Sequence, residues 1–338
     1  MLKIRSIAMI AAAAAAAALA AGSAARAAVG DILNVSYDVS RETFADINPA
    51  FQASWKAKTG QTITINQSHA GSSAQARAIL EGLKADVVTF NQVPDVQILH
   101  DKGELIPANW RGRLPNRSSP FYSVPAFLVR AGNPKGIKGW EDLVRPGVGV
   151  VIPNPKTSGN GRYSYLAAYA YELDKTKDTA KAKEFARKFL ANVVVFDTGG
   201  RAATTSFTEK GQGDVLVTFE AEALGTAAQA GPGKVQVITP AVSLLAEFPV
   251  SVVDKVVDQR GSRQVAEAYL RFLYTAPAQT ILARHFYRVS DKSVAARFRG
   301  QFQPTRILTV EQTLGGWDKV AREHLAAGGL LDQVFVRH

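Results

Sequence analysis

Four times along this sequence an apolar run is followed by a short turn of small or hydroxyl residues and then by a helical apolar stripe. That alternation limits the possible folds more than any other feature. The first instance has a strand at 32–36, the turn YDVSRE at 37–42, and a helix face made by Phe44, Ile47, Phe51 and Trp55. Asp38 or Ser40 is placed to cap that helix. The second has a strand at 62–65, the turn QSHAGSS at 67–73, and Ala76, Ile79, Leu80 and Leu83 on one face. The third has a strand at 148–152, a turn from Asn154, and a helix face of Leu166, Tyr169, Ala170 and Leu173. The fourth has a strand at 193–196 with DTGGRA at 197–202 behind it. Strands that alternate with helices predict an α/β fold with parallel sheets covered on both faces. In such sheets ligands sit beyond the carboxyl ends of the strands, where these turns lie.

The third turn carries the clearest chemistry. Ser158, Gly159, Asn160 and Gly161 stand at a helix start. A helix start leaves main-chain N–H groups unpartnered and carries the positive end of the helix dipole. Glycine lets the backbone approach a bound anion, and a hydroxyl adds a donor. The turn is therefore expected to form part of a cradle for a small oxyanion. Taken singly, it also reads as an ordinary capped helix. Four turns of like chemistry, drawn from two separated parts of the chain, favour the cradle.

Two stretches divide the chain. LPNRSSP at 114–120 precedes a strand-like run at 121–130, and AEFPVSVV at 246–253 is a second extended stretch. They read as two crossovers between an outer lobe built from 28–120 and 248–338 and an inserted lobe at 121–247. Paired crossovers act as a hinge that closes on a ligand. Near the end, a helix at 264–274 is stopped by Pro277, and 317–325 reads as a terminal helix packing on the outer lobe.

Residues 1–27 read as a secretory signal, with Lys3 and Arg5, an apolar run at 7–21, and Ala25, Arg26 and Ala27 as the cleavage site. Cleavage near Ala27 leaves an exported chain of 311 residues, enough for two domains. The net charge of +11 falls to +8 once Lys3, Arg5 and Arg26 leave with the signal. A basic balance favours anionic partners, but the cations are scattered and no nucleic-acid motif is present.

Enzyme chemistry finds little support. There is no cysteine, which removes thiol nucleophiles and thiolate metal sites. His69, His100, His285, His324 and His338 show no metal-ligand spacing. Neither a G-x-S-x-G elbow nor a P-loop occurs. Tyr163, Tyr165, Tyr169 and Tyr171 occupy more than one helix face, which fits packing better than a tyrosine-ligated metal.

The segments NVSYD at 34–38 with Arg41 and Glu42, QSHAGS at 67–72, NPKTSG at 154–159, GDVL at 213–216 and VVDK at 252–255 resemble the periplasmic sulfate/thiosulfate-binding proteins, in family order. These are soluble receptors of ATP-driven sulfate importers. The resemblance covers the mature chain. It implies the two-domain periplasmic-binding-protein fold of type II, with two crossover strands as hinge, a periplasmic location and an importer permease as partner. It implies capture of sulfate and/or thiosulfate, by a monomer, without cofactor or metal. The contacts it carries over are the N–H groups of Asp38, Ser72, Gly159, Asn160 and Gly200 and the Ser158 hydroxyl. His69, Arg162, Arg201 and Phe219 become supporting residues. Asn160 stands where the sulfate-specific pattern has glycine, and Phe219 where it has a donating tryptophan; both look like the thiosulfate branch. Molybdate or phosphate as ligand, or hydrolysis of sulfate esters, remain the alternatives. A donor-only site disfavours phosphate, whose proton would face another donor at a cost of about 1–3 kcal/mol. Such matching discriminates by roughly 10⁴-fold. The Asp38 carboxylate is expected to be engaged by protein N–H or arginine groups.

Overall fold

Strand β1 (Asp31–Tyr37) is buried on both faces inside a four-stranded sheet, which with a five-stranded sheet makes up the two larger of the four sheets among the described residues. The computed structural model describes residues 30–335, so the expected signal lies outside the described residues. Helix α1 (Arg41–Thr59) follows; Phe44, Ile47, Phe51 and Trp55 recur at helical spacing and are all buried, and Gly60 in the left-handed region ends it. Next come β2 (Thr64–Ala70), α2 (Ser72–Leu80), β3 (Val87–Thr89) and α3 (Val93–Asp101). β2 and β3 flank β1 and run parallel to it, with Ile32 opposite Ile65 and Val35 opposite Val88.

The run at 121–130 splits into β4 (Phe121–Ser123) and β5 (Pro125–Arg130), which join different sheets. The second sheet continues through β6 (Val150–Pro153), α4 (Gly159–Thr176), α5 (Thr179–Ala191), β7 (Val193–Asp197), α6 (Gly200–Thr208), β8 (Val215–Phe219), α7 (Glu220–Ala230) and β9 (Val235–Ile238). Its strand order is β7-β6-β8-β5-β9. The chain returns through β10 (Val242–Leu244), β11 (Ala246–Glu247) and β12 (Val250–Val252). β12 completes the first sheet, in the order β12-β3-β1-β2. Helices α8 (Asp254–Arg260), α9 (Arg263–Phe272) and α10 (Ala276–Arg284) then lead to β13 (Arg288–Val289) and β14 (Arg306–Leu308).

β4 and β11 pair antiparallel, Ser123 opposite Ala246, and β13 flanks β4. The two stretches read as crossovers therefore lie side by side between the sheets. Five rings gather there. Phe248 is fully buried and stacks on Tyr37, with Phe121, Phe219 and Tyr287 around it at centroid distances of 5.1–5.4 Å. The Tyr37 hydroxyl donates to that of Tyr287 at 2.9 Å.

Several expectations are corrected. The sheets are mixed, because each crossover strand enters against its neighbour: β12 is antiparallel to β3, and β5 to β8 and β9. Neither Asp38 nor Ser40 caps α1 with its side chain; the Ser40 hydroxyl turns back to Tyr37 O at 2.7 Å. The second strand runs on to Ala70, which shortens its turn, and Leu83 lies beyond the end of α2. The segment 317–325 is a short α-turn followed by a π-turn, and its rings face the inserted segment rather than the outer lobe. Trp317 packs edge-on to Tyr163, and His324 accepts or donates at 2.9 Å with the Tyr165 hydroxyl. The tyrosines of α4 are packing residues.

Phe248→Ala removes the ring shared by four others. It is expected to lower unfolding free energy by about 3–5 kcal/mol in urea titration. A loss below about 1 kcal/mol would mean that other contacts hold the junction.

Candidate functional site

In the first sheet β1 lies between β2 and β3; in the second β6 lies between β7 and β8. Each central strand is a topological switch point, where the following connections leave in opposite directions and open a crevice at the strand ends. The segments at the strand ends hold Asp38, Gly71 and Asn91 on one side and Ser158 and Gly199 on the other, with Thr218, the last residue but one of strand β8, beside them.

Glycines set how closely the two sides approach. A Cβ on Gly159 would lie 2.1 Å from Asn91 Oδ1, and one on Gly199 2.5 Å from Asp38 Oδ2. One on Gly71 would touch the carbonyl oxygens of both Thr157 and Thr198, at 3.4 and 3.8 Å. The starts of α2, α4 and α6 thus converge. At none of the three does a side chain cap the helix. Elsewhere Asp178 and Asp291 cap α5 and the helix at Lys292–Phe298 through two main-chain N–H groups each. The convergence gathers helix-start N–H groups and three positive dipole ends.

The predicted residues fall as follows. Ser72, Ser158, Gly159, Asn160 and Gly200 come together at these three starts and are buried. The Ser72 hydroxyl, however, is taken up within the protein, with Asn91 Oδ1 at 2.7 Å and Asp95 Oδ2 at 2.5 Å as the two acceptors in reach of its one proton. Asp38 stands at the end of β1, and its carboxylate accepts from Val39 N–H and, across the crevice, from Arg201 N–H, both at 3.0 Å. Asn160 Nδ2 donates to Thr218 Oγ1 at 2.9 Å. Phe219 ends β8 and packs edge-on to Tyr163 and Phe248.

Both arginines bridge the two sides. Arg162 reaches Asp95 at 3.3 Å and donates through Nε to Pro155 O. Arg201 reaches Glu42 at 2.7 Å and lies 3.9 Å from Glu222. His69, on β2, sits 3.2 Å from Tyr37 O, and burial lowers its pKa. Both arginines at the crevice are thus engaged by carboxylates.

Sequence reasoning missed Asn91, Gln92, Asp95, Thr218 and Glu222. FNQVPD at 90–95 repeats the strand–polar turn–helix pattern, but β3 is only three residues long and its apolar run was too short to stand out. Asp95 Oδ2 accepts from Ser72, Ser73 and Gln92 and so ties α2 to α3. Nothing in the sequence marks Glu222. It is buried at the edge of the crevice, and its Oε1 accepts from Thr204 at 2.9 Å.

A family model described as bacterial extracellular solute-binding protein matches residues 32–288. The thiosulfate-binding protein of Escherichia coli (strain K12) is 53% identical over 307 residues, which is 90% of each chain. The sulfate-binding protein of the same strain is 46% identical over 307 residues, covering 90% of this chain and 93% of its own. Among solved structures, the sulfate-binding protein SubI from Mycobacterium tuberculosis H37Rv superposes with a TM-score of 0.78 at 34% identity, covering 86% of this chain and 98% of that one.

Burial pushes the Glu222 carboxyl up to about 7, with Asp38 and Glu42 adding to the rise against Arg201 and Thr204. A folded-state value above the unfolded one gives stability that is complete below about 4.5 and is lost as pH rises through about 7. Glu222→Gln keeps the Thr204 bond and removes the titration. It is expected to match the unmodified chain near pH 4.5 and exceed it by about 1–3 kcal/mol at pH 8 in urea unfolding. Parallel pH profiles would refute the assignment.

Proposed function

Because this chain belongs to the bacterial extracellular solute-binding protein family, we propose that it captures sulfate and thiosulfate between its lobes and delivers them to an ATP-driven importer. It has the α/β, two-domain periplasmic-binding-protein fold of type II. The observation that carries the reading is the meeting of three helix starts, at Ser72, Gly159 and Gly200, none of them capped by a side chain. Relatives that cover nine-tenths of the chain are binding proteins for these two anions. The chain is a binding protein and not an enzyme.

The anion takes the N–H groups of Asp38, Ser72, Gly159, Asn160 and Gly200 and the hydroxyl of Ser158. Arg162 and Arg201 support the cradle while held by Asp95 and Glu42. The Asp38 carboxylate accepts one protein N–H on each oxygen, from Val39 and from Arg201, which ties it to the protein rather than leaving it free for a ligand. Thiosulfate is tolerated because Phe219 contributes no donor, and a terminal sulfur is a poorer acceptor than oxygen. The working unit is a periplasmic monomer that meets a membrane permease. Its outer lobe is 28–120 with 248–338, its inserted lobe is 121–247, and the pair β4/β11 is the hinge.

A thermal-shift panel of sulfate, thiosulfate, molybdate, phosphate and ferric citrate tests this, since a ligand of the native state alone raises the melting temperature. Sulfate and thiosulfate are expected to raise it and phosphate is not. Ser158→Ala is expected to weaken sulfate binding by about 1.5–3 kcal/mol in calorimetry. Response to another ligand of the panel and not to these two would replace the reading.

A further inference from the structure

Asn160 carries a polar atom that the crevice leaves unpaired. The residue is buried, its Nδ2 donates to Thr218 Oγ1, and its Oδ1 has no partner among the described residues. The carboxamide lies against the neighbouring helix start, since a Cβ on Gly200 would approach Nδ2 to 2.8 Å. It is therefore a side chain set between the first turns of α4 and α6, where only the backbone of Asn160 has been given a role.

Resting on the reading that a dianion occupies this crevice, we propose that the Asn160 carboxamide turns over when the anion binds and donates an N–H to it. A half-turn about the last side-chain torsion exchanges Oδ1 and Nδ2 with almost no change of shape. The Thr218 hydroxyl accommodates both settings, accepting from Nδ2 in one and donating to Oδ1 in the other. Oδ1 is the unpaired atom of the carboxamide, while Nδ2 is the atom that lies against the Gly200 helix start. With a dianion present, that oxygen would be repelled, whereas an N–H makes a charge-assisted bond. Phe219, at the end of β8, contributes no donor, because it is apolar and turned toward Tyr163 and Phe248. Asn160 is thus a binding residue through its side chain as well as its backbone.

Calorimetry on the mature full-length chain tests this with Asn160→Ala, Asn160→Asp and Ser158→Ala, using sodium sulfate, thiosulfate and phosphate at pH 7. Asn160→Ala is expected to weaken sulfate roughly 10- to 100-fold. Asn160→Asp should weaken it further, because a carboxylate has no N–H to offer and adds a negative charge that repels the dianion. Unchanged affinity in both variants, with Ser158→Ala impaired, overturns the inference and leaves the functional reading intact. Phosphate binding as tight as sulfate would also overturn it, since Oδ1 would then be serving as an acceptor for the phosphate proton. If the unmodified chain binds neither sulfate nor thiosulfate, the functional reading fails and this one with it. Should the variants not fold, side-chain amide exchange followed by NMR on the unmodified chain decides: sulfate should slow exchange of the Asn160 carboxamide protons, and an unaltered rate overturns the proposal.

Discussion

The carboxylate of Asp38, at the end of one sheet's central strand, accepts the main-chain N–H of Arg201 at the start of a helix on the other sheet. The two sides of the molecule can meet at this distance only because Gly199 carries no side chain where the Asp38 oxygen lies. Gly159 does the same for Asn91. These glycines keep negative φ values, so their role is space and not an unusual backbone conformation. Any larger residue would wedge the loops apart and separate the helix starts. The crevice is defined less by what lines it than by what has been left out of its rim.

That closeness governs the electrostatics. Arg162 and Arg201 would each make a strong direct partner for an anion, yet both are engaged by carboxylates from the opposite side. On the proposed reading, what remains for a ligand is a set of neutral donors and the partial charges of helix ends. Such a site acts by direction. Donors aimed at fixed points match an ion that can only accept, and leave a protonated ion with one bond it cannot make. The same carboxylates hold the two lobes together, so the arginines serve closure instead of neutralisation.

Much of this was readable in the residues. The strand–turn–helix repeats placed Asp38, Ser72, Gly159 and Gly200 at loop ends, because apolar runs and helix stripes are local signals. The crossovers showed themselves through proline and polar turn residues. Three things did not show. The three-residue β3 hid the Asn91–Asp95 turn, because a strand buried by its neighbours needs no long apolar run of its own. Sheet direction depends on where each crossover strand joins, which no local pattern records. The resting place of Trp317 and His324 against the tyrosines of α4 is a long-range packing choice, where an amphipathic segment had two possible faces to cover.

The aromatic cluster at the junction explains how hinge and crevice act as one piece. Tyr37 immediately precedes Asp38, and Phe219 immediately follows Thr218, so both rings are one residue from the crevice. Both pack on Phe248, which lies between the crossover strands β11 and β12. Bending at β4 and β11 must therefore carry the ends of β1 and β8 with it, since a close-packed ring cluster shifts as a unit and does not deform smoothly. On the proposed reading, movement of the lobes and formation of the cradle are then the same event. On that reading the Asp38 donor takes up its place together with the Tyr37 ring beside it.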